Sequence, residues 1–425
     1  MDFVEELKWR GMIHDLTPGT QEQLLKEMTT AYVGFDPTAD SLHIGNLVPI
    51  MLLTHFQQAG HKPIALLGGA TGMVGDPSGK SEERNFLSED ILQHNLTCQK
   101  DQLARFLDFS ARRKNKAEMV NNYDWFKSFS LLDFLREAGK HITLNYMMAK
   151  ESVKKRMQTG ISFTEFSYQL IQGYDFYWLH EHKNCKLQMG GSDQWGNILT
   201  GTELIRRKSQ KEAYGLTCPL ITKADGSKFG KSEGENIWLD AEKTSPYTFY
   251  QYWLNASDED AAKYMRIFTL KEKQEILELE KIHFEKPHLR TLQKSLAEDI
   301  TIRVHSKEAL NNALAASEIL FGKATEESLR NLSEKDLLSI FEGVPQAKVA
   351  RSEFQNGLPI IDFCVQRVKA FSSNGEARRM IQNNGVGVNK QKVTLEKEVS
   401  VQDLIFDRYI LLQKGKKQYY LIYAV

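Results

Sequence analysis

The spacing of apolar positions changes twice along this chain of 425 residues, and the changes divide it into three regions. From about residue 30 to 222, short apolar runs alternate with stretches of helical period. Lys62-Pro-Ile-Ala-Leu-Leu67 reads as a buried strand, as do Lys186-Leu-Gln-Met189 and Cys218-Pro-Leu-Ile-Thr222. Between them, Leu47–Ala59 carries helical spacing, with Gly60 placed to end it. Strands alternating with helices predict an α/β fold built on a doubly wound parallel sheet, with its ligand site at the carboxyl ends of the strands. The first domain is therefore drawn at 1–222, followed by a loop and linker at 223–245. Residues 246–325 lose strand character and read as several helices, opening at Ser245-Pro246. A linker at 326–350 leads to a small α+β domain at 351–425. There Leu358–Val368 and Glu376–Gln382 have helical spacing, and Asn383-Asn384-Gly385-Val386-Gly387-Val388-Asn389 reads as a tight turn into a strand.

Composition narrows the class. The 55 basic and 55 acidic residues cancel, so a nucleic-acid partner has to meet a local basic patch instead of a global positive field. Cys98, Cys185, Cys218 and Cys364 are widely spaced with no CxxC pair, which argues against a disulfide framework or zinc site and fits a reducing cytosol. Met1-Asp2-Phe3-Val4-Glu5-Glu6 is too acidic for a signal or transit peptide, and no apolar run approaches the roughly 20 residues of a membrane helix. These features predict a cytoplasmic protein with no membrane partner.

Two segments carry the chemistry. Ala31-Tyr-Val-Gly-Phe35 is β-branched and aromatic, breaks at Asp36-Pro37, and enters an amphipathic stretch at His43-Ile44-Gly45-Asn46. A strand, a polar turn and a helix N-terminus present unpaired N–H groups and a favourable dipole to phosphates. In Lys223-Ala-Asp-Gly-Ser-Lys-Phe-Gly-Lys-Ser232, lysines 228 and 231 bracket Phe229-Gly230 in a stretch too Gly-rich and polar for a helix interior. Cations on such a loop suit a polyphosphate whose charge shifts during reaction.

Together these segments resemble the paired ATP-binding signatures of class I aminoacyl-tRNA synthetases. His43-Ile44-Gly45-Asn46 matches the HIGH signature and Lys228-Phe229-Gly230-Lys231-Ser232 matches KMSKS, in the expected order and about 180 residues apart. Four further segments are similar to bacterial-type tyrosyl-tRNA synthetases: Gly68–Gly72 running on to Gly75–Lys80, Phe163–Tyr168, Gln172–Asp175, and Gln188–Asn197. The resemblance covers essentially the whole chain. It implies a Rossmann-like catalytic domain, an α-helical tRNA anticodon-binding domain and a C-terminal RNA-binding domain of the kind first described in a small-subunit ribosomal protein. Ser372, Ala377, Arg378, Arg379, Gly385, Val388 and Asn389 fall on that last motif.

The resemblance also implies a reaction. L-Tyrosine is activated by ATP, accompanied by Mg2+, to tyrosyl-adenylate and pyrophosphate, and is then transferred to the 3' end of tRNA(Tyr). Such chemistry needs positioning and charge neutralisation more than a nucleophile. Thr38 and His43 would contact the pyrophosphate end, and Lys80, Arg84, Lys228, Lys231 and Ser232 would close over the same phosphates. Gly45 and Asn46 would face ribose and adenine, Gly191 and Asp193 would hold the ribose hydroxyls, and Asp36 would lie near the adenylate. Asparagine at 46 replaces the second histidine of HIGH but keeps a side-chain donor at similar reach. No metal-ligand spacing appears, so no protein ligand for magnesium is assigned.

For tyrosine itself, Tyr32 and Asp175 match the positions that bind the phenolic hydroxyl; a pair built for a hydroxyl is left unsatisfied by phenylalanine. Asp76, Tyr168 and Gln172 match positions that hold the α-ammonium, and Gln194 the carboxylate side. Tyr168, Gln172 and Asp175 follow i, i+4, i+7 spacing, which puts them on one helix face. Family likeness further implies a homodimer with Phe163 at its interface and Met147-Met148 as added apolar surface, and tRNA contacts from Arg378 and Arg379. The competing readings are tryptophanyl-tRNA synthetase, a catalytically silent RNA-binding relative, and a dehydrogenase. A hydroxyl-binding pair, the retained signature residues and the absence of GxGxxG count against them in turn.

Overall fold

The structure is a computed structural model that describes residues 2–425 except 77, 79–86, 159, 228, 233–234, 322–325, 331–333, 335–336, 339–340, 342–343 and 416–417. It divides into two compact units. The first holds residues 1–240 and 255–304, the second 241–254 and 305–425.

The first unit is built on a six-stranded sheet: β1 (Asp15–Leu16), β2 (Thr30–Phe35), β3 (Lys62–Leu67), β4 (Glu118–Asn121), β5 (Cys185–Gly191) and β6 (Tyr214–Cys218), in the order β1-β6-β5-β2-β3-β4. All neighbours run parallel except the edge pair of β1 and β6. Strand order therefore reverses between β2 and β5, the place where a doubly wound sheet opens its crevice. β2 and β3 are nearly continuous apolar runs because helices cover both faces, whereas β5 carries Lys186 and Gln188 among its apolar residues. The helix Leu47–Gln58 is buried nearly all round, and Gly60 adopts φ +95° directly after it.

One strand lies upstream of its expected position. The sequence placed it at Cys218–Thr222, but the ladder runs through Tyr214–Cys218 and stops before Pro219, which has no N–H to continue it. The helical region predicted at 246–325 is present as helices Pro246–Leu254, Asp258–Phe268, Lys273–Glu285, Thr291–Val304 and Lys307–Phe321. Its members are shared between the two units instead of forming one of their own. In the first unit Arg10 donates to the carbonyls of Arg266 (2.6 Å), Thr269 (3.0 Å) and Lys271 (2.8 Å), and Arg303 to that of Phe268 (2.7 Å). Those guanidinium bonds cap the carboxyl end of Asp258–Phe268 and fasten it to the helices Phe3–Arg10 and Thr291–Val304 that carry the two arginines. In the second unit Gln251 Nε2 donates to Ser317 Oγ at 2.8 Å, joining Pro246–Leu254 to Lys307–Phe321.

The second unit contains a five-stranded sheet in the order Gln391–Lys392, Val386–Val388, Tyr409–Lys414, Gln418–Ala424, Gln346–Val349. The helix Asn374–Gln382 buries Ala377 and Ile381 against its core. The expected helix Leu358–Val368 begins two residues late. Leu358–Pro359 pairs with Glu398–Val399, and the helix from Ile360 widens into a π turn that Val368 N closes on Phe363 O at 2.9 Å. Among the described residues no helix is long and apolar enough to cross a membrane.

Candidate functional site

A cleft of about 470 Å³ opens in the first unit where strand order reverses, between the carboxyl ends of β2 and β5. Tyr32, Asp36, Thr38, His43, Gly45, Asn46, Asp76, Tyr168, Gln172, Asp175, Gly191, Asp193 and Gln194, drawn from distant parts of the sequence, all line it. The helix Phe163–Lys183 is N-capped by Ser162 and brings Tyr168, Gln172 and Asp175 to the cleft on one face, as their spacing predicted.

The floor of the cleft is a phenol beside a carboxyl. Tyr32 is almost wholly buried, and its hydroxyl has no hydrogen-bond partner. Asp175 accepts from Trp125 Nε1 at 2.9 Å and Asn122 Nδ2 at 3.0 Å. Burial pushes the Asp175 carboxyl up to about 8, and these two donors only partly oppose it. The Tyr32 phenol is held well above its ordinary value, first by burial and then by the neighbouring Asp175. An orphaned hydroxyl beside a carboxyl that accepts from neutral donors is a site made to receive one more polar hydrogen.

Above the floor lies a web of side-chain amides. Gln194 Nε2 donates to Asp76 Oδ2 at 2.7 Å, and Gln172 Nε2 to Gln194 Oε1 at 3.3 Å. Asn197 Nδ2 stands at the centre, 3.0 Å from Gln172 Oε1, 3.3 Å from Gln194 Oε1 and 3.3 Å from Ser78 Oγ. Tyr168 donates to Asp36 Oδ2 at 3.0 Å, and Thr71 Oγ1 to Asp36 Oδ1 at 2.7 Å. Two carboxylates and several carboxamide oxygens facing one space make it suited to an ammonium group.

At the rim, His43-Ile44-Gly45-Asn46 forms a capping box at the start of the helix. His43 Nδ1 accepts from Gly45 N at 3.0 Å, and Asn46 Oδ1 accepts from His43 N at 3.0 Å. Asparagine thus spends its oxygen on the backbone and retains an NH2 group with which to meet a ligand. A Cβ at Gly45 would lie 2.7 Å from the His43 ring, so any larger residue there displaces the ring. The second signature reaches the same turn. Gly230, at φ +90°, would place a Cβ 3.5 Å from Gly45 N, and Phe229 stacks on Phe268 with ring centroids 5.3 Å apart.

Of the phosphate-binding candidates, Lys80, Arg84 and Lys228 lie outside the described residues, and Lys231 and Ser232 are described in backbone only, as a short strand paired with Glu235–Asn236. Arg378 and Arg379 lie exposed on the helix Asn374–Gln382 of the second unit. Phe163 is 75% exposed at the start of its helix. Met147, expected to add apolar surface there, is instead buried with Ile142, Leu170 and Leu204, while Met148 is exposed. Sequence reasoning passed over Asn122 and Trp125, and gave Thr71 and Asn197 no individual role although both fall within the segments Gly68–Gly72 and Gln188–Asn197. The signal for the first two was available: Asn121-Asn122-Tyr123-Asp124-Trp125 follows the carboxyl end of β4, where such folds place function. Among the described residues, no group of three or more His, Cys, Asp or Glu side chains could hold a metal ion.

Comparison with known proteins gives a consistent result. Residues 25–322 match the family of class I tRNA synthetases (W and Y), and residues 336–422 match the tyrosine–tRNA ligase SYY-like C-terminal domain. The chain is 60% identical over 429 aligned positions to a tyrosine–tRNA ligase of Bacteroides fragilis, covering 100% of both chains. It is 62% identical to that of Porphyromonas gingivalis, covering 99% of both. Among solved structures it resembles a C-terminally truncated mitochondrial tyrosyl-tRNA synthetase of Aspergillus nidulans, with a TM-score of 0.67, 30% identity, and coverage of 75% of this chain and 94% of that one.

Proposed function

The chain belongs to the class I tyrosyl-tRNA synthetases, and from that membership we propose what each part of the cleft does. The reaction is tyrosine–tRNA ligation: the carboxylate of L-tyrosine attacks the α-phosphorus of ATP, pyrophosphate leaves, and the tyrosyl group passes from the adenylate to the 3' end of tRNA(Tyr). The observation that carries the substrate is the floor of the cleft, where the Tyr32 hydroxyl lacks a partner beside the buried Asp175 carboxyl. A substrate phenol that donates to Asp175 and accepts from Tyr32 satisfies both. Phenylalanine satisfies neither, and tryptophan offers no acceptor to Tyr32.

With the ring seated there, the α-ammonium meets Asp76, Tyr168 and Gln172, and Gln194 lies on the carboxylate side. ATP then lies toward the rim, its adenine and ribose against Gly45, Asn46, Gly191 and Asp193, with Asp36 near the adenylate. Thr38 and His43 bind the pyrophosphate end, together with Lys80, Arg84, Lys228, Lys231 and Ser232. These groups act by holding two anions together and neutralising charge as the phosphorus–oxygen bond to pyrophosphate breaks. Magnesium accompanies ATP on its phosphates. Arg378 and Arg379 meet tRNA phosphates, as do basic side chains of the helical region 246–325. Phe163, with exposed Leu144 and Met148 near it in sequence, forms part of a homodimer interface. Four free cysteines fit a cytoplasmic setting.

Charging bacterial tRNA with labelled tyrosine, phenylalanine and tryptophan in parallel tests this reading. Incorporation of tyrosine alone is expected. Charging with tryptophan alone would refute the assignment of Tyr32 and Asp175.

A further inference from the structure

Helix Glu89–Leu103 presents a stripe of three carboxamides, Asn95, Gln99 and Gln102, to the turn that follows β2. All three are buried. Their spacing of four and three residues puts them on one helix face. Asn95 Nδ2 donates to Pro37 O at 2.9 Å. Gln99 Nε2 donates to Ala39 O at 3.1 Å and lies 3.4 Å from Asp36 O. Gln102 Nε2 donates to Ser41 Oγ at 3.1 Å, and its Oε1 accepts from Leu42 N at 2.8 Å. The backbone from Asp36 to Leu42 is thus held at Asp36, Pro37, Ala39 and Leu42, and through the Ser41 side chain, by one helix face.

Burying three carboxamides is expensive, and a turn on the surface could leave its carbonyls to water. This turn carries Thr38 and leads directly into His43. It also reaches the segment after the second signature: Asp240 N donates to Ser41 Oγ at 3.2 Å, Leu239 N to Leu42 O at 2.8 Å, and Ile44 N to Ile237 O at 2.9 Å. Ser41 therefore stands between Gln102 and the chain that returns from Lys231. None of the three carboxamides lines the cleft; they bear on it through the Asp36–Leu42 turn.

We propose that Asn95, Gln99 and Gln102 are positioning residues for adenylate formation, a carboxamide rail that sets the Asp36–His43 turn against the phosphates and, through Ser41, the exit of the signature loop. The proposal rests on the reading of the cleft given above. It separates two parts of one site: the tyrosine floor, fixed by β2, β4 and the Phe163–Lys183 helix, and the phosphate rim, fixed by the rail.

The test uses the full-length chain with Gln99→Met, which keeps volume and removes both donations, and Asn95→Ser as a second, milder variant. Two quantities are measured: kcat and tyrosine KM for tyrosine-dependent pyrophosphate exchange, and hydrogen exchange at the amides of Thr38 to His43 against those of β2. In Gln99→Met the kcat falls by about 10- to 100-fold, the range that small misplacements of reacting groups produce, while tyrosine KM stays within about twofold. The Thr38–His43 amides exchange faster and those of β2 do not. Unchanged kcat and unchanged amides in both variants would overturn the rail. So would a tyrosine KM that rises in step with the loss of kcat, since that marks a general collapse of the pocket. A wild-type chain without tyrosine-dependent exchange would instead sink the functional reading, and the amides alone would then decide whether the rail holds the turn.

Discussion

Replacing Tyr32 by phenylalanine removes one oxygen and should move stability and substrate binding in opposite directions. The ring is packed in a cluster with Ile64, Leu66, Phe176, Leu179 and Cys185, all of which phenylalanine keeps. The hydroxyl alone is unmatched in the unliganded protein. An unsatisfied buried hydroxyl costs about 1–3 kcal/mol, so Tyr32→Phe should unfold at higher temperature, gaining about 1 kcal/mol. In the proposed site the same hydroxyl donates to the phenol of bound tyrosine. A neutral hydrogen bond contributes about 1 kcal/mol net, so its loss raises tyrosine KM roughly fivefold. Phenylalanine makes no such bond, and its weak exchange should be unaffected, so discrimination narrows by the same factor. Thermal unfolding without ligand and pyrophosphate exchange with both amino acids read the two effects. A variant that is less stable and binds tyrosine unchanged would refute the reasoning, because the hydroxyl would then be satisfied at rest and idle in binding.

Other perturbations separate the remaining parts of the cleft. Asp175→Asn should flatten the pH dependence of stability. The carboxyl has its folded value raised from 3.8 to about 8, so stability present at low pH is lost as pH rises through that window, and between about pH 5.5 and pH 7.5 urea titrations should show about 2–3 kcal/mol more loss in the wild type. An equal slope in both proteins would mean that Asp175 ionises normally. Asn197→Leu takes the shared donor from Gln172, Gln194 and Ser78 and should raise tyrosine KM about tenfold with ATP KM little changed; equal rises in both would argue against a tyrosine-specific web. Gly45→Ala drives a Cβ to 2.7 Å from the His43 ring, so the ring must turn and give up its bond to Gly45 N. Exchange kcat should fall by about 10- to 100-fold at constant tyrosine KM, and an unaltered kcat would remove His43 from the phosphate site.

Local pattern made the sheet legible from sequence where it was strong. β3 is an apolar run after Lys62, β5 alternates Cys185, Leu187 and Met189 with Lys186 and Gln188, and the Leu47–Gln58 helix is followed by a glycine with positive φ. The strand drawn across Cys218-Pro219 was misplaced because apolarity continues past the proline that ends its hydrogen bonding. The helical region was recognised as helices but not as shared between two units. The first unit's hold on Asp258–Phe268 includes guanidinium bonds from Arg10 and Arg303 to backbone carbonyls, those of Arg10 reaching more than 200 residues along the chain, which no local pattern signals. Asp175 and Tyr32 were found through motif likeness, whereas Asn122 and Trp125 come from a strand end that no motif marked. The rail of Asn95, Gln99 and Gln102 was invisible for a different reason: its bonds go to main-chain atoms, and a polar stripe on a helix reads as an exposed face until its partner is known.

Tyrosine-dependent exchange of labelled pyrophosphate into ATP tests the central claim most directly, with phenylalanine and tryptophan in parallel and Lys231→Ala as control. Exchange with tyrosine alone, lost in the control, is the predicted result. Exchange with tryptophan would contradict the Tyr32–Asp175 floor while keeping the chemistry, and folded protein that exchanges with none of the three would contradict the account of the cleft altogether.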